Sequence, residues 1–163
     1  MIWTVKRTVY LPNFSADYFP QVAIDPGQTT GLAEAVLLRE PNPNIYEVKI
    51  TTHLYEWPGA AAKIKQHLSG AGQVAMENFR LQPFKAASLS WNELPAPRVI
   101  GWVEGTLQVQ IMMHNLFTYE PSETKMLSND FLKTRLGDLP PSKPDHQRDA
   151  LRVLMTHWLK RGG

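Results

Sequence analysis

The sequence predicts one α/β domain on a mixed β-sheet, with three antiparallel strands followed by parallel strands and helices on both faces. Three observations lead there. Short apolar runs of strand length end in single acids, QVAID at Asp25 and QVAME at Glu77. A helix-forming stretch separates the second acid from the antiparallel strands, as a crossover to a parallel strand requires. An amphipathic segment with His146 and Asp149 near its start closes the chain. A chain of 163 residues with 43% hydrophobic content can bury one core and is short for two ordinary domains.

The elements follow in order. Residues 1–20 precede the first buried run and are read as an N-terminal extension, an arm or an extra strand. Its Trp3, Tyr10, Phe14 and Tyr18 offer apolar area to dock on the core or on a second subunit. Residues 21–163 form the domain. Gln21–Asp25 is a buried strand, and Pro26-Gly27 turns the chain sharply after it. Thr29–Leu38 and Tyr46–Trp57 are the next two strands, with Pro41, Pro43 and Asn44 as the turn between them. Gly59–Leu68 carries helix formers at helical spacing and stops at Ser69-Gly70. Gln73–Phe79 returns as a strand parallel to the first, which sets Glu77 beside Asp25.

Arg80–Pro97, with three prolines and two aromatics, reads as a loop or a short irregular helix flanking the site. Arg98–His114 has the period of a buried helix, with Gly101 and Gly105 on one face where another backbone could approach. Leu116–Glu120 is a further strand, and Ser122–Leu136 a basic amphipathic stretch. Pro140–Pro144 marks a boundary. The last helix, Asp145–Lys160, puts His146 and Asp149 on one face by their three-residue spacing.

Composition excludes several chemistries. Without cysteine there is no disulfide, thiolate metal site or Cys nucleophile. A formal net charge of +2 is far from the uniform basic coat of a protein that binds nucleic acid by charge alone. A carboxylate cluster ringed by Lys and Arg would give the same near-balance. Residues 1–20 contain Lys6, Arg7 and Pro12 and lack an apolar core, so they are neither signal peptide nor membrane span, and a cytoplasmic protein is the default expectation.

Three carboxylates and one imidazole make a hard, oxygen-rich donor set suited to Mg²⁺, or to Mn²⁺ as a substitute. Phosphodiester hydrolysis needs an activated water and a stabilised leaving oxygen, and two divalent ions about 3.5–4 Å apart supply both. Each acid alone has an ordinary explanation as a turn or helix cap. Their combination at two strand ends and one helix start is what points to a metal site.

The segments DPGQTTG (Asp25–Gly31), VAMENF, GWVEG (Gly101–Gly105) and HQRDAL (His146–Leu151) resemble, in content and order, RuvC-type Holliday-junction resolvases of the RNase H-like superfamily. The resemblance spans roughly residues 21–160. It implies an RNase H-like fold and a homodimeric endonuclease that resolves four-way or other branched DNA, with two Mg²⁺ ions per site and no nucleotide cofactor. Asp25, Glu77, His146 and Asp149 then fall on the catalytic and metal-binding positions. Asp25 would bridge the ions, Glu77 and Asp149 would hold one side each, and His146 would coordinate or orient the water, with Asp145 as a reserve ligand or helix cap. Thr29, Thr30, Arg80, Phe84, Lys85, Lys125, Lys143 and Arg148 are the DNA-facing candidates, and Phe79, Phe84 or Trp91 could act as a wedge. The small size and N-terminal extension suggest a phage-encoded or mobile-element member.

Three other readings stay open. A flap, fork or RNA–DNA hybrid nuclease would share the carboxylate chemistry. A non-catalytic DNA-binding module would keep the acids as caps. DPGQTTG also resembles the phosphate loop of actin-like sugar kinases, but that architecture needs two related domains.

Overall fold

Gln21–Asp25 and Gln73–Glu77 are buried along their whole length. Strands covered on both faces read as unbroken apolar runs, and these two are the centre of the sheet. The computed structural model describes residues 2–79, 94–110 and 115–163. Its strands are β1 (Trp3–Tyr10), β2 (Gln21–Asp25), β3 (Thr29–Asn42), β4 (Ile45–Glu56), β5 (Gln73–Glu77) and β6 (Leu116–Tyr119), in the spatial order β1-β4-β3-β2-β5-β6. β1 to β4, β4 to β3 and β3 to β2 are antiparallel, whereas β2 to β5 and β5 to β6 are parallel.

The helices are α1 (Ala61–Ser69), α2 (Pro95–Val109), α3 (Pro121–Thr124), α4 (Asn129–Leu136) and α5 (His146–His157). On one face, Ile64 and Leu68 of α1 and Val99, Val103 and Leu107 of α2 cover Val22, Ile24, Leu32, Val74 and Met76. On the other, Ala150, Leu151, Val153 and Leu154 of α5 lie against Ala23, Ala33, Ala35 and Ala75, with Leu132 and Leu136 of α4 in the same cluster. The small alanines on the sheet let α5 settle close. Each large aliphatic side chain buried there contributes roughly 1.5–3 kcal/mol.

The N-terminal extension supplies an edge strand. β1 pairs with β4 from Trp3↔Thr52 to Tyr10↔Ile45 and alternates between half-buried and exposed residues, as an edge with one solvated face does. Leu11 and Phe14, just beyond it, are core residues, while Tyr10 stays exposed.

Several boundaries differ from the sequence reading. β3 runs on through Pro41 to Asn42, with register shifts after Leu37 and Arg39, because proline is tolerated where a bulge interrupts the ladder. The turn contracts to Pro43-Asn44, with Asn44 at φ 65°. α2 begins at Pro95 rather than Arg98, since proline fits a first helical turn whose N–H groups have no partner anyway. Among the described residues, a Cβ on Gly101 or Gly105 would meet nothing within 4 Å, so none of them brings its backbone close to α2 there. The stretch 122–136 divides into α3 and α4, because Ser128 caps a fresh helix by accepting from the Phe131 N–H. The last helix ends at His157 and continues as a π-turn over Trp158–Gly162. Residues 80–93, where a loop or irregular helix is expected, lie outside the described residues, as do 111–114.

α5 is pinned at its C-terminal end by a buried polar chain. His157 Nδ1 is 2.7 Å from the Tyr119 hydroxyl and its Nε2 is 2.8 Å from Gln73 Oε1. Gln73 Oε1 also accepts from Gln21 Nε2, whose own oxygen accepts from Trp158 Nε1. Because Gln73 Oε1 is an acceptor, His157 is placed as the neutral Nε2–H tautomer, with Nδ1 accepting from Tyr119. Gln21 and Gln73 are the first residues of β2 and β5. α5 therefore runs from there back toward the strands' C-terminal ends.

Candidate metal centre

β2 and β5 are parallel and in register to Ile24↔Met76, so the next residue of each strand, Asp25 and Glu77, ends side by side at one edge of the core. α5 delivers its first turn to the same edge. His146 and Asp149, three residues apart, project toward Asp25, and ligand atoms of these three residues all lie within 4.8 Å of one another. His146 Nδ1 is 3.1 Å from Asp25 Oδ2.

Gly31 makes this approach possible. It pairs with Asp25 across the β2–β3 ladder, and a Cβ on it would lie 2.0 Å from the His146 carbonyl oxygen and 2.5 Å from its carbonyl carbon. Only a residue without a side chain lets the helix start rest on the strand at this point.

Two of the acids, Glu77 and Asp149, are held from behind. The Thr124 hydroxyl of α3 donates to Glu77 Oε2. Arg152, one turn along α5, donates through Nη1 to Asp149 Oδ1 at 2.7 Å, and through Nε to the Leu127 carbonyl at 2.7 Å. Its Nη2 donates to Asn129 Oδ1. Asp145 is the N-cap residue of α5, its carbonyl accepting from the Asp149 N–H at 2.9 Å, while its side chain makes no capping bond. With Asp149, Lys125 and Arg152 it borders a hollow of about 270 Å³.

Burial pushes the Asp25 carboxyl above its ordinary range, against the hydrogen bond from His146, and the charge of Asp149 adds to the rise. Burial likewise raises Glu77, while the Thr124 hydrogen bond opposes it and Asp25 adds repulsion. His146 is raised by its hydrogen bond to Asp25. The pair thus holds the imidazole's proton more tightly than a free histidine would. A divalent cation would offset the same burial and repulsion, and two carboxylates with an imidazole are apt donors for Mg²⁺ or Mn²⁺. The residues fit such an ion.

The DNA-facing candidates separate. Lys125 is exposed, and its positive charge lowers the pKa of both Asp25 and Glu77. Lys143 is exposed in the loop before α5, and Arg148 donates through Nε to the Pro140 carbonyl at 2.7 Å. Thr30 is fully buried and its hydroxyl donates to the Gly27 carbonyl at 2.8 Å, so it staples the turn and does not face DNA. The Thr29 hydroxyl donates to Glu56 at 2.8 Å. Phe79 is half-buried just past β5. Arg80, Phe84, Lys85 and Trp91 lie outside the described residues. Sequence reasoning missed Gly31, Thr124 and Arg152 as parts of the site. A proline-started helix with Glu120 and Glu123 as a capping box was the available signal for α3.

A solved structure of RuvC from Thermus thermophilus is similar to this chain, with a TM-score of 0.53 over 86% of this chain and 95% of that one. The fold is RNase H-like. Sequence identity is 18%, so the likeness speaks for the fold, and the chemistry rests on the side chains themselves. No family model matches the sequence, and no curated protein does. Among the described residues no helix is long and apolar enough to cross a membrane.

Proposed function

We propose that this chain is a divalent-metal-dependent endonuclease that cuts branched DNA, four-way junctions first among them, acting as a homodimer. The observation that carries the reading is the convergence of Asp25, His146 and Asp149 ligand atoms within 4.8 Å on an RNase H-like sheet, with Glu77 at the neighbouring strand end. Asp25, Asp149 and His146 would hold Mg²⁺ or Mn²⁺, with Glu77 completing the set for a second ion. Bound there, the ions would supply an activated water and stabilise the leaving oxygen. The chain's own groups do the positioning. Arg152 and Thr124 hold the Asp149 and Glu77 carboxylates in place, and His146 is oriented by its 3.1 Å contact from Nδ1 to Asp25 Oδ2. Lys125, exposed beside both acids, draws a phosphate toward them. Two copies related by a two-fold axis would place two such sites on opposite strands of a junction.

The test is cleavage of labelled four-way junction, fork, flap, RNA–DNA hybrid and linear duplex with Mg²⁺ or Mn²⁺, beside Asp25→Asn. Paired symmetric nicks on the junction, lost in the variant, support the reading. Cleavage confined to other substrates would keep the metal site and overturn the junction assignment. No metal-dependent cleavage of any substrate would leave a binding module.

A further inference from the structure

β1 has an exposed outer edge, and together with the loop after α4 it encloses an open cleft of about 770 Å³. Trp3, Thr4 and Arg7 of β1 line one wall; Lys133 of α4, Asp138 and Arg148 of α5 line the other. Three cations thus face one acid. Arg7 is fixed in the wall, its guanidinium donating to the Leu136 carbonyl and, at 2.8 Å, to the Lys6 carbonyl. Among the described residues neither Lys133 nor Arg148 is ion-paired. Arg148 spends Nε on the Pro140 carbonyl, and among the described residues its terminal nitrogens stay available to another acceptor.

Arg148 immediately precedes Asp149 on α5, so the cleft begins within one helical turn of the acid cluster. Positive side chains along an open polar cleft adjoining such a site suit an extended chain of phosphates, whose charges are spaced along a backbone rather than gathered at a point.

We infer that this cleft, built by the N-terminal strand, seats the phosphodiester backbone of a DNA duplex arm leading away from the cleavage site. The substrate class rests on the nuclease reading above; the cleft itself does not. β1 then serves the substrate as well as the sheet, and its removal would shorten the bound arm.

Binding of labelled four-way junction is measured in EDTA, where affinity is separated from cleavage, across a range of salt. Lys133→Gln and Arg148→Gln are expected to weaken binding severalfold and to lower the slope of log affinity against log salt by about 0.9 each. Lys63→Gln, at an exposed position of α1, is expected to leave both unchanged. The chain has no cysteine, so Asp138→Cys, exposed in the cleft wall and carrying a photo-crosslinker, reports contact at one point: it should crosslink to DNA, and Lys63→Cys should not. Unchanged affinity and slope in both cleft variants, with no crosslink from position 138, overturns the inference even if the junction is still cut. Altered slopes and a crosslink in a protein that cuts nothing would sustain the cleft and remove the nuclease reading.

Discussion

A β-carbon on Gly31 would lie 2.0 Å from the carbonyl oxygen of His146, so the start of α5 and the second residue past Thr29 on β3 share space that only glycine leaves free. Gly31→Ala must push the first turn of α5 off the sheet. Overpacking of this kind costs about 1–3 kcal/mol. Denaturant unfolding should show that loss, and metal-dependent cleavage should fall by far more than the stability change explains, since His146 and Asp149 both ride on the displaced turn. A Gly31→Ala protein with full activity would show that the approach is not needed.

Asp25→Asn removes a buried carboxylate whose ionisation is already opposed by burial and by Asp149. Thermal unfolding without metal should therefore match or exceed that of the parent. Adding Mn²⁺ should raise the parent's melting temperature and leave the variant's where it was, because a ligand that binds only the folded site stabilises by mass action. Equal shifts in both proteins would place the ion elsewhere.

Thr124→Val deletes the hydroxyl that donates to Glu77 and is the chief opponent of the burial that raises this carboxyl. Glu77 must be ionised to hold a cation, and losing the hydrogen bond moves its pKa further up. The ascending limb of the cleavage rate against pH should accordingly shift to higher pH in the variant, with most of the rate regained under alkaline conditions. An unshifted limb with a uniformly lower rate would assign Thr124 a packing role only.

His157 tests the other end of α5. Burial, helped by the charge of Arg161, pushes its imidazole from an ordinary 6.5 down to about 4. The unfolded chain then binds a proton that the folded one refuses. The stability this implies is complete above pH 6.5 and is lost as pH falls toward about 4, at up to about 1.4 kcal/mol per pH unit. Unfolding free energies at several pH values should fall less steeply in His157→Gln than in the parent over that window. Parallel slopes would mean His157 titrates normally.

Arg152→Ala frees the Asp149 carboxylate that Arg152 now grips while bonding Leu127 and Asn129. Apparent Mn²⁺ affinity, read from the melting shift, should weaken, and Arg152→Lys should recover little of it because one ammonium cannot make the same forked set of bonds. Full recovery by lysine would reduce the role to charge alone.

The sequence alone determined the strand and helix periods, the order of the elements and the positions of the four candidate ligands. Apolar runs and helix spacing are local properties of the chain, and the acids at Asp25 and Glu77 stand out because each ends a buried run. Proline misled twice, at Pro41 and Pro95, because a bulge and a first helical turn both tolerate it. The tertiary structure decided what depends on contacts between distant segments. The space above Gly31 exists only because α5, more than a hundred residues later, crosses β3 there. Thr30 looked available as a hydroxyl and is spent on its own turn. Thr124, Arg152 and the cleft beside β1 acquired their places from packing, since no periodicity in a sequence records which side chain will stand behind a given carboxylate.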